Sequence, residues 1–349
     1  MPNAAMSVLE ATPVGEALCL LRQDTGALGL LNATARHAWE ASPGELPTAI
    51  DDAMPWLLRP VTSRRAELQR LPPNGPPILD ICICSPAGRT IRLRCHEPWL
   101  ADQLRAVLAP LPGSGEAAQV VDVGQGDRGT FCLWRDGVAI RHHIPRAEIR
   151  RRVLGEVACL MAGTLQVAAL LHASAIGFGD GAVVLAGRSG AGKSTLTAAL
   201  VAAGGGYLGD DLIPLDRDGL CVHAFASALS VKTGSWPQVG TWFPALDQQP
   251  VHAFHDRQLR YLPLRPAVGP LPVRVLVFPS FEPGAVFAVQ PVAPEQAFAL
   301  LLDAGTELVG DPTSAKPLAL LADSVAGIHM IYGDLDQAVD TVRAFGGRP

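Results

Sequence analysis

The pattern of hydrophobic positions divides the chain into three regions of different texture. From Ala17 to about Leu58 the pattern reads strand, turn at Asp24-Thr25-Gly26, strand, then a helix through Asn32-Ala33-Thr34-Ala35-Arg36-His37-Ala38-Trp39, with Asn32 or Thr34 placed to cap it. The stretch Leu71-Pro72-Pro73-Asn74-Gly75-Pro76-Pro77 reads as a loop or linker, because consecutive prolines remove backbone donors and hold the chain extended. Short alternating runs follow at Ile78 to Cys84, Thr90 to Cys95 and Gly129 to Trp134, the last ending in the turn signal Arg135-Asp136-Gly137. They predict a small β-rich region with one helix near Trp99 to Leu108. A helical stretch from Arg146 to about Leu165 leads into apolar Val167 to Ile176, a Gly/Asp turn, and Ala182 to Ala186, which together predict a hairpin. Beyond it, Val273 to Phe278 reads as a buried strand, Pro294 to Leu302 as a helix opened by proline, and Asp334 to Phe345 as an amphipathic helix.

Composition narrows the function classes. The 349 residues are 48% hydrophobic and 17% charged, enough to bury a large core or two ordinary ones. A net charge of -5 argues against a general nucleic-acid or membrane-surface binder, since both need a basic footprint to neutralise phosphates. The run Arg150-Arg151-Arg152 reads as a solvated helix face. Seven cysteines are scattered without a Cys-x-x-Cys pair or a histidine at zinc-ligand spacing, and they read as buried thiols of a reducing, cytoplasmic compartment. The N-terminus lacks a basic segment followed by an apolar run, so no signal peptide is expected. The uncharged stretch between Glu156 and Asp180 has the length of a membrane span, but Thr164, Gln166, His172 and Ser174 suit a bilayer centre poorly. A buried helix followed by a buried strand is the expectation there.

The predicted strand ending at Ala186 feeds Gly187-Arg188-Ser189-Gly190-Ala191-Gly192-Lys193-Ser194, and the helix-forming Thr195 to Ala203 follows. That is a phosphate-binding loop in its strand-loop-helix context. Glycines let successive backbone N–H groups turn inward onto phosphate oxygens, and the helix N-terminus adds partial positive charge. Lys193 would reach the β- and γ-phosphates, and Ser194 would place its hydroxyl on Mg²⁺. Gly204-Gly205-Gly206 stops the helix, and the short strand Tyr207-Leu208 returns Gly209-Asp210-Asp211 beside the loop. Two adjacent carboxylates there can divide the labour, one holding Mg²⁺ and the other accepting the proton of an attacking hydroxyl. His172, on the strand expected to pair with the one feeding the loop, is either a satisfied core histidine or a hydrogen-bond partner of an Asp or of phosphate.

Taken together, Leu171-His172-Ala173-Ser174, the hairpin, Gly187 to Ser194 and Leu208-Gly209-Asp210-Asp211 resemble the catalytic domain of the bacterial HPr serine kinase/phosphorylase family and its HPr-kinase-like relatives. The resemblance covers roughly His172 to Pro349. It implies an α/β fold with a mixed sheet similar to phosphoenolpyruvate carboxykinases, transfer of the γ-phosphoryl of ATP to a protein serine, and Mg²⁺ dependence. Carried over by position, Asp210, His172 and Lys193 are catalytic, with Asp210 the base. Gly187 through Thr195 bind nucleotide, and Ser194 and Asp211 hold the metal. The stretch Leu229-Ser230-Val231-Lys232-Thr233-Gly234-Ser235-Trp236 also looks like a recurring segment of these relatives, in which Lys232 contacts phosphate or remains a solvated lysine. Arg257 and Arg260 are further candidate clamps. Thr195 stands where the regulatory HPr kinases carry an acidic residue, and their downstream Gly/Arg-rich signature is not recognisable, which puts phosphorylase activity and HPr as substrate in doubt. The family assembles as hexamers, so a homo-oligomer is an open expectation.

Asp24 to Glu40 instead resembles the core of PqqD-like domains, winged modules that bind leader peptides; a hydrophobic staple under a helix would explain the same spacing. The expected division is therefore a small α+β segment over 1–70, a β-rich region over 71–150 and a P-loop kinase domain over 151–349. The acceptor implied is a protein or peptide, such as a ribosomal peptide precursor. A small-molecule kinase, or a nucleotide-gated interaction module without chemistry, are the competing readings of the same motifs.

Overall fold

The computed structural model describes residues 9–22, 27–41, 72–73, 75–163, 166–254, 257–309 and 315–347. The turn expected at 24–26, the segment 42–71 with the first domain boundary, and the predicted helix end at 164–165 lie outside them. The described chain is mixed α/β with mixed sheets. None of its helices is long and apolar enough to cross a membrane.

The N-terminal region is an antiparallel sheet of β1 (Leu9–Val14), β2 (Ala17–Arg22) and β3 (Ala27–Leu31), followed by α1 (Ala33–Ala41). Asn32 settles the capping alternative, because its side-chain oxygen accepts the Ala35 N–H at 2.9 Å.

The middle region is a five-stranded sheet of β4 (Leu79–Cys84), β5 (Thr90–Cys95), then, after α2 (Pro98–Val107), β6 (Gln119–Gln125), β7 (Phe131–Arg135) and β8 (Val138–Ile144). Strand β6 was not legible as alternation because it is buried on both faces around Asp122, whose carboxylate is paired with Arg94 at 2.7 Å. Helix α3 (Ile149–Ala162) leaves this sheet and enters the third region. One buried cluster runs through Leu93, Leu104, Val153 and Val157 to Tyr207, Leu229 and Tyr261, so the middle and third regions share a core.

In the third region the apolar run predicted as one strand is two, β9 (Val167–Leu171) and β10 (Ala173–Phe178), broken at His172. Strand β10 forms the expected hairpin with β11 (Gly181–Ala186), while β9 pairs elsewhere. His172 therefore stands at a bend between two strands rather than on one. The chain continues through α4 (Lys193–Ala202), β12 (Gly206–Gly209), β13 (Ile213–Asp216), β14 (Cys221–Val222) and β15 (Leu229–Lys232) to α5 (Trp236–Trp242). Next come β16 (His252–Phe254), β17 (Arg257–Leu262), β18 (Leu271–Phe281), β19 (Ala288–Val292), α6 (Pro294–Ala304), β20 (Glu307–Leu308), α7 (Ala315–Ser324), β21 (Ala326–Tyr332) and α8 (Leu335–Gly346).

Along the large sheet the order is β12-β10-β11-β18, with β21 on the far side of β18. Strand β10 is antiparallel to both β12 and β11, whereas β18 is parallel to β11 and β21 to β18. Four strands, β12, β11, β18 and β21, thus point the same way and end along one edge. Helices α4 and α8 cover one face through Leu196, Leu200, Ala338 and Val342. Helices α6 and α7, with Val14, Cys19 and Leu21 of the N-terminal sheet, cover the other. Covering both faces is what lets the near-continuous apolar strands of this sheet stay out of water. A smaller sheet of β15, β17 and β16 stands beside the Gly187–Ser194 loop.

Candidate functional site

The loop Gly187–Ser194 leaves the end of β11 and enters α4 through Gly192, whose φ of 92° is open to glycine at little cost. A side chain there would also collide with its surroundings: a Cβ would lie 2.4 Å from the Tyr332 hydroxyl and 3.0 Å from Phe281 Cβ. Lys193 is buried, and its ammonium donates to the Gly187 carbonyl and, at 3.3 Å, to the Arg188 carbonyl. Desolvation lowers the pKa of that ammonium, against the opposing pull of Asp210 and Asp211.

The acidic pair follows the end of β12, which β10 separates from β11 in the sheet. Gly209 precedes it because nothing larger fits: a Cβ would sit 2.4 Å from the Phe225 carbonyl oxygen. Asp210 is 1% exposed. Its Oδ1 accepts from the Ser174 hydroxyl at 2.5 Å, and its Oδ2 accepts from the Ser194 hydroxyl at 3.3 Å and the Ser230 N–H at 3.4 Å. Burial, then the charge of Asp211, raises its pKa to about 6, while the Ser174 hydrogen bond works the other way.

Asp211 turns the opposite way, in a left-handed conformation with φ 69°, which among non-glycine residues Asp tolerates better than most. Its side chain is 43% exposed at the mouth of the site, with His172 Nε2 at 3.7 Å and an Arg150 guanidinium nitrogen at 3.9 Å. Partial burial opposes its ionisation, but the bond from His172 and the charges of Arg150, His172 and Lys193 prevail and hold its carboxyl down at about 2. The two acids are thus sorted by environment: one is dry and held by hydroxyls, the other half-exposed and flanked by His172 and Arg150.

Other predicted residues separate into two groups. Lys232 and Arg257, from β15 and β17, converge on the Ser189 hydroxyl at 2.8 and 3.2 Å, over the tip of the loop. Thr195 shares a hydrogen bond of 2.7 Å with Ser235. Arg260, by contrast, is turned to Asp247 at 2.7 Å and stacked over Trp236 at 4.4 Å, away from the loop. Arg188 also points outward, in a two-pronged pairing with Asp303 of α6 at 2.7 and 2.8 Å.

The arginines of α3 do not form a solvated face. Arg150 donates to the Tyr261 hydroxyl at 2.5 Å besides facing Asp211. Arg151 donates to the Gly305 carbonyl and pairs with Glu307 at 2.7 Å, and Arg152 also reaches Glu307. No spacing rule marks Arg150, since its partners lie more than sixty positions downstream. Ser174 had a weak signal, two residues after His172, but nothing in the sequence showed that its hydroxyl meets Asp210.

Oxygen donors of Ser194 and Asp210 lie together in a hard-ligand pair suited to Mg²⁺, which binds few protein oxygens and completes its shell with phosphate and water. Among the described residues no group of three or more His, Cys, Asp or Glu side chains is placed to hold a metal by itself. Compared with protein-family models, and with curated proteins, the chain matches none of them.

Proposed function

We propose that the chain is an ATP-dependent serine kinase of the HPr-kinase-like type, transferring the γ-phosphoryl group to a protein or peptide. The observation that carries this reading is the direct contact between the two halves of the motif: the Ser194 hydroxyl of the loop lies 3.3 Å from Asp210, with Asp211 next to it at the open side. A phosphate loop used only for binding needs no second carboxylate held between a histidine and an arginine.

Contacts favour a division of labour opposite to the one expected from motif position. Ser194 and Asp210 would hold Mg²⁺, because their oxygens share one buried spot, and the ion would neutralise charge on the β- and γ-phosphates. Asp211, ionised and accessible, is then the group that accepts the acceptor's hydroxyl proton. The hydroxyl oxygen bonds to the γ-phosphorus, the bond to the β–γ bridging oxygen breaks, and ADP leaves with that electron pair. His172 and Arg150 orient Asp211, and Lys193 swings from the loop carbonyls onto phosphate oxygens. Lys232 and Arg257 add positive charge over Ser189, on the side where the transferred group passes. The PqqD-like likeness of the N-terminal region makes a ribosomal peptide precursor a suitable acceptor class.

The test is transfer from labelled ATP, with magnesium, to a degenerate serine-peptide pool, with phosphoserine identified by mass spectrometry. Asp211→Asn is expected to lose about 10²- to 10⁴-fold in rate while still binding ATP. Undiminished transfer by that variant refutes the assigned base. Phosphorylation of metabolites without any peptide product would transfer the reading to a small-molecule kinase.

A further inference from the structure

The edge along which β12, β11, β18 and β21 end is asymmetric about the phosphate loop. On the β12 side stand Asp210 and Asp211. On the other side, β18 ends at Phe281 and β21 at Tyr332, paired in register with each other. The Phe281 N–H donates to the carbonyl of Ala191, inside the loop, at 3.3 Å, so this aromatic is tied to the loop's own backbone. Tyr332, 1% exposed, backs it with ring centroids 5.5 Å apart and planes at 56°. Yet Phe281 itself is 45% exposed.

An aromatic ring fixed from behind and open in front is a stacking surface. Its occupant follows from the direction of the triphosphate. If the γ-phosphate faces the acidic pair, the nucleoside must leave the loop on the opposite side, past the carboxyl ends of β18 and β21, the end of the strands at which open α/β sheets bind their ligands. We infer that Phe281 is the platform on which the nucleobase stacks. The inference rests on the nucleotide reading of the loop and adds to it the subsite that distinguishes a nucleotide from bare polyphosphate.

The experiment compares binding of ATP and of inorganic tripolyphosphate, each with magnesium, to the full chain and to Phe281→Ala. Stacking of one base on an aromatic predicts that the variant loses roughly tenfold in ATP affinity, within a range of about 5- to 150-fold, and nothing for tripolyphosphate. Phe281→Trp supplies an independent readout should the alanine variant fold poorly: ATP is expected to quench the indole emission and tripolyphosphate to leave it unchanged. Equal loss for both ligands, or no loss for ATP, overturns the platform while leaving the loop assignment standing. Failure of the wild type to bind either ligand overturns both.

Discussion

Replacing Asp210 by Asn should stabilise the metal-free protein while disabling it. The carboxylate is 1% exposed and, among the described residues, faces three hydrogen-bond donors but no side-chain cation at contact distance, and its pKa stands at about 6 against an ordinary 3.8. Displacement of that size costs the ionised form about 3 kcal/mol, since each pKa unit is worth about 1.4 kcal/mol. The sign follows from linkage: a carboxyl whose folded pKa is raised binds its proton more tightly when folded, so stability falls as pH rises from about 4 through about 6. Asn, shaped like the protonated acid, escapes this loss. Its amide would face the Ser230 N–H as a second donor, which removes part of the gain. Chelator-treated wild type and Asp210→Asn, compared by urea denaturation, should differ by about 1–3 kcal/mol in favour of the variant at pH 8 and by little near pH 4. A variant less stable than wild type at pH 8 would show that the buried charge is fully compensated and would refute the picture of a site held ready for a cation.

Three further outcomes follow from the same contacts. Arg150→Ala removes a charged hydrogen bond to Tyr261 and the flank of Asp211; turnover at saturating ATP should fall about tenfold or more with the KM for ATP unchanged, and a changed KM alone would place Arg150 at the nucleotide instead. Gly192→Ala meets both a left-handed backbone and the Tyr332 hydroxyl, so it should cost about 2–4 kcal/mol in denaturation, part of which Tyr332→Phe restores; a neutral single variant contradicts the close packing at the loop. Burial pushes the thiols of Cys19 and Cys159 up to about 12 and that of Cys95 to about 11, so a thiol reagent at pH 8 should reach Cys82, Cys84 and Cys221 first and those three only after unfolding; rapid native-state labelling of Cys159 would contradict the shared core.

What could be read from the sequence was what local pattern determines. The strand before Gly187 and the helix after Gly192 were both visible, because an apolar run and a helix-forming run flank the glycines. Helix α6 announced itself through Pro294 at the first turn and α8 through its amphipathic period, to which the structure adds Asp334 as the cap. The break at His172 was hidden because Val167 to Ile176 is mostly apolar, and its two polar residues, His172 and Ser174, form no turn signal that would reveal that β9 and β10 take different partners. Arg150 was misread for a related reason: three consecutive arginines on a helix look solvated until the carboxylates and the tyrosine that receive them are known. Likewise the adjacent acids Asp210 and Asp211 carry identical chemistry in the sequence, and only their surroundings in the fold bury one among hydroxyls and leave the other at the mouth. The small sheet of β15 to β17 was missed because its strands are short and carry charges that are used over the loop.

The most direct measurement is a structure of the chain with magnesium and a non-hydrolysable ATP analogue. The account predicts phosphates cradled by Gly187 to Ser194, a cation touching Ser194 and Asp210, and the γ-phosphate on the side of Asp211. A γ-phosphate directed toward Phe281, or a nucleotide bound away from this loop, would contradict it.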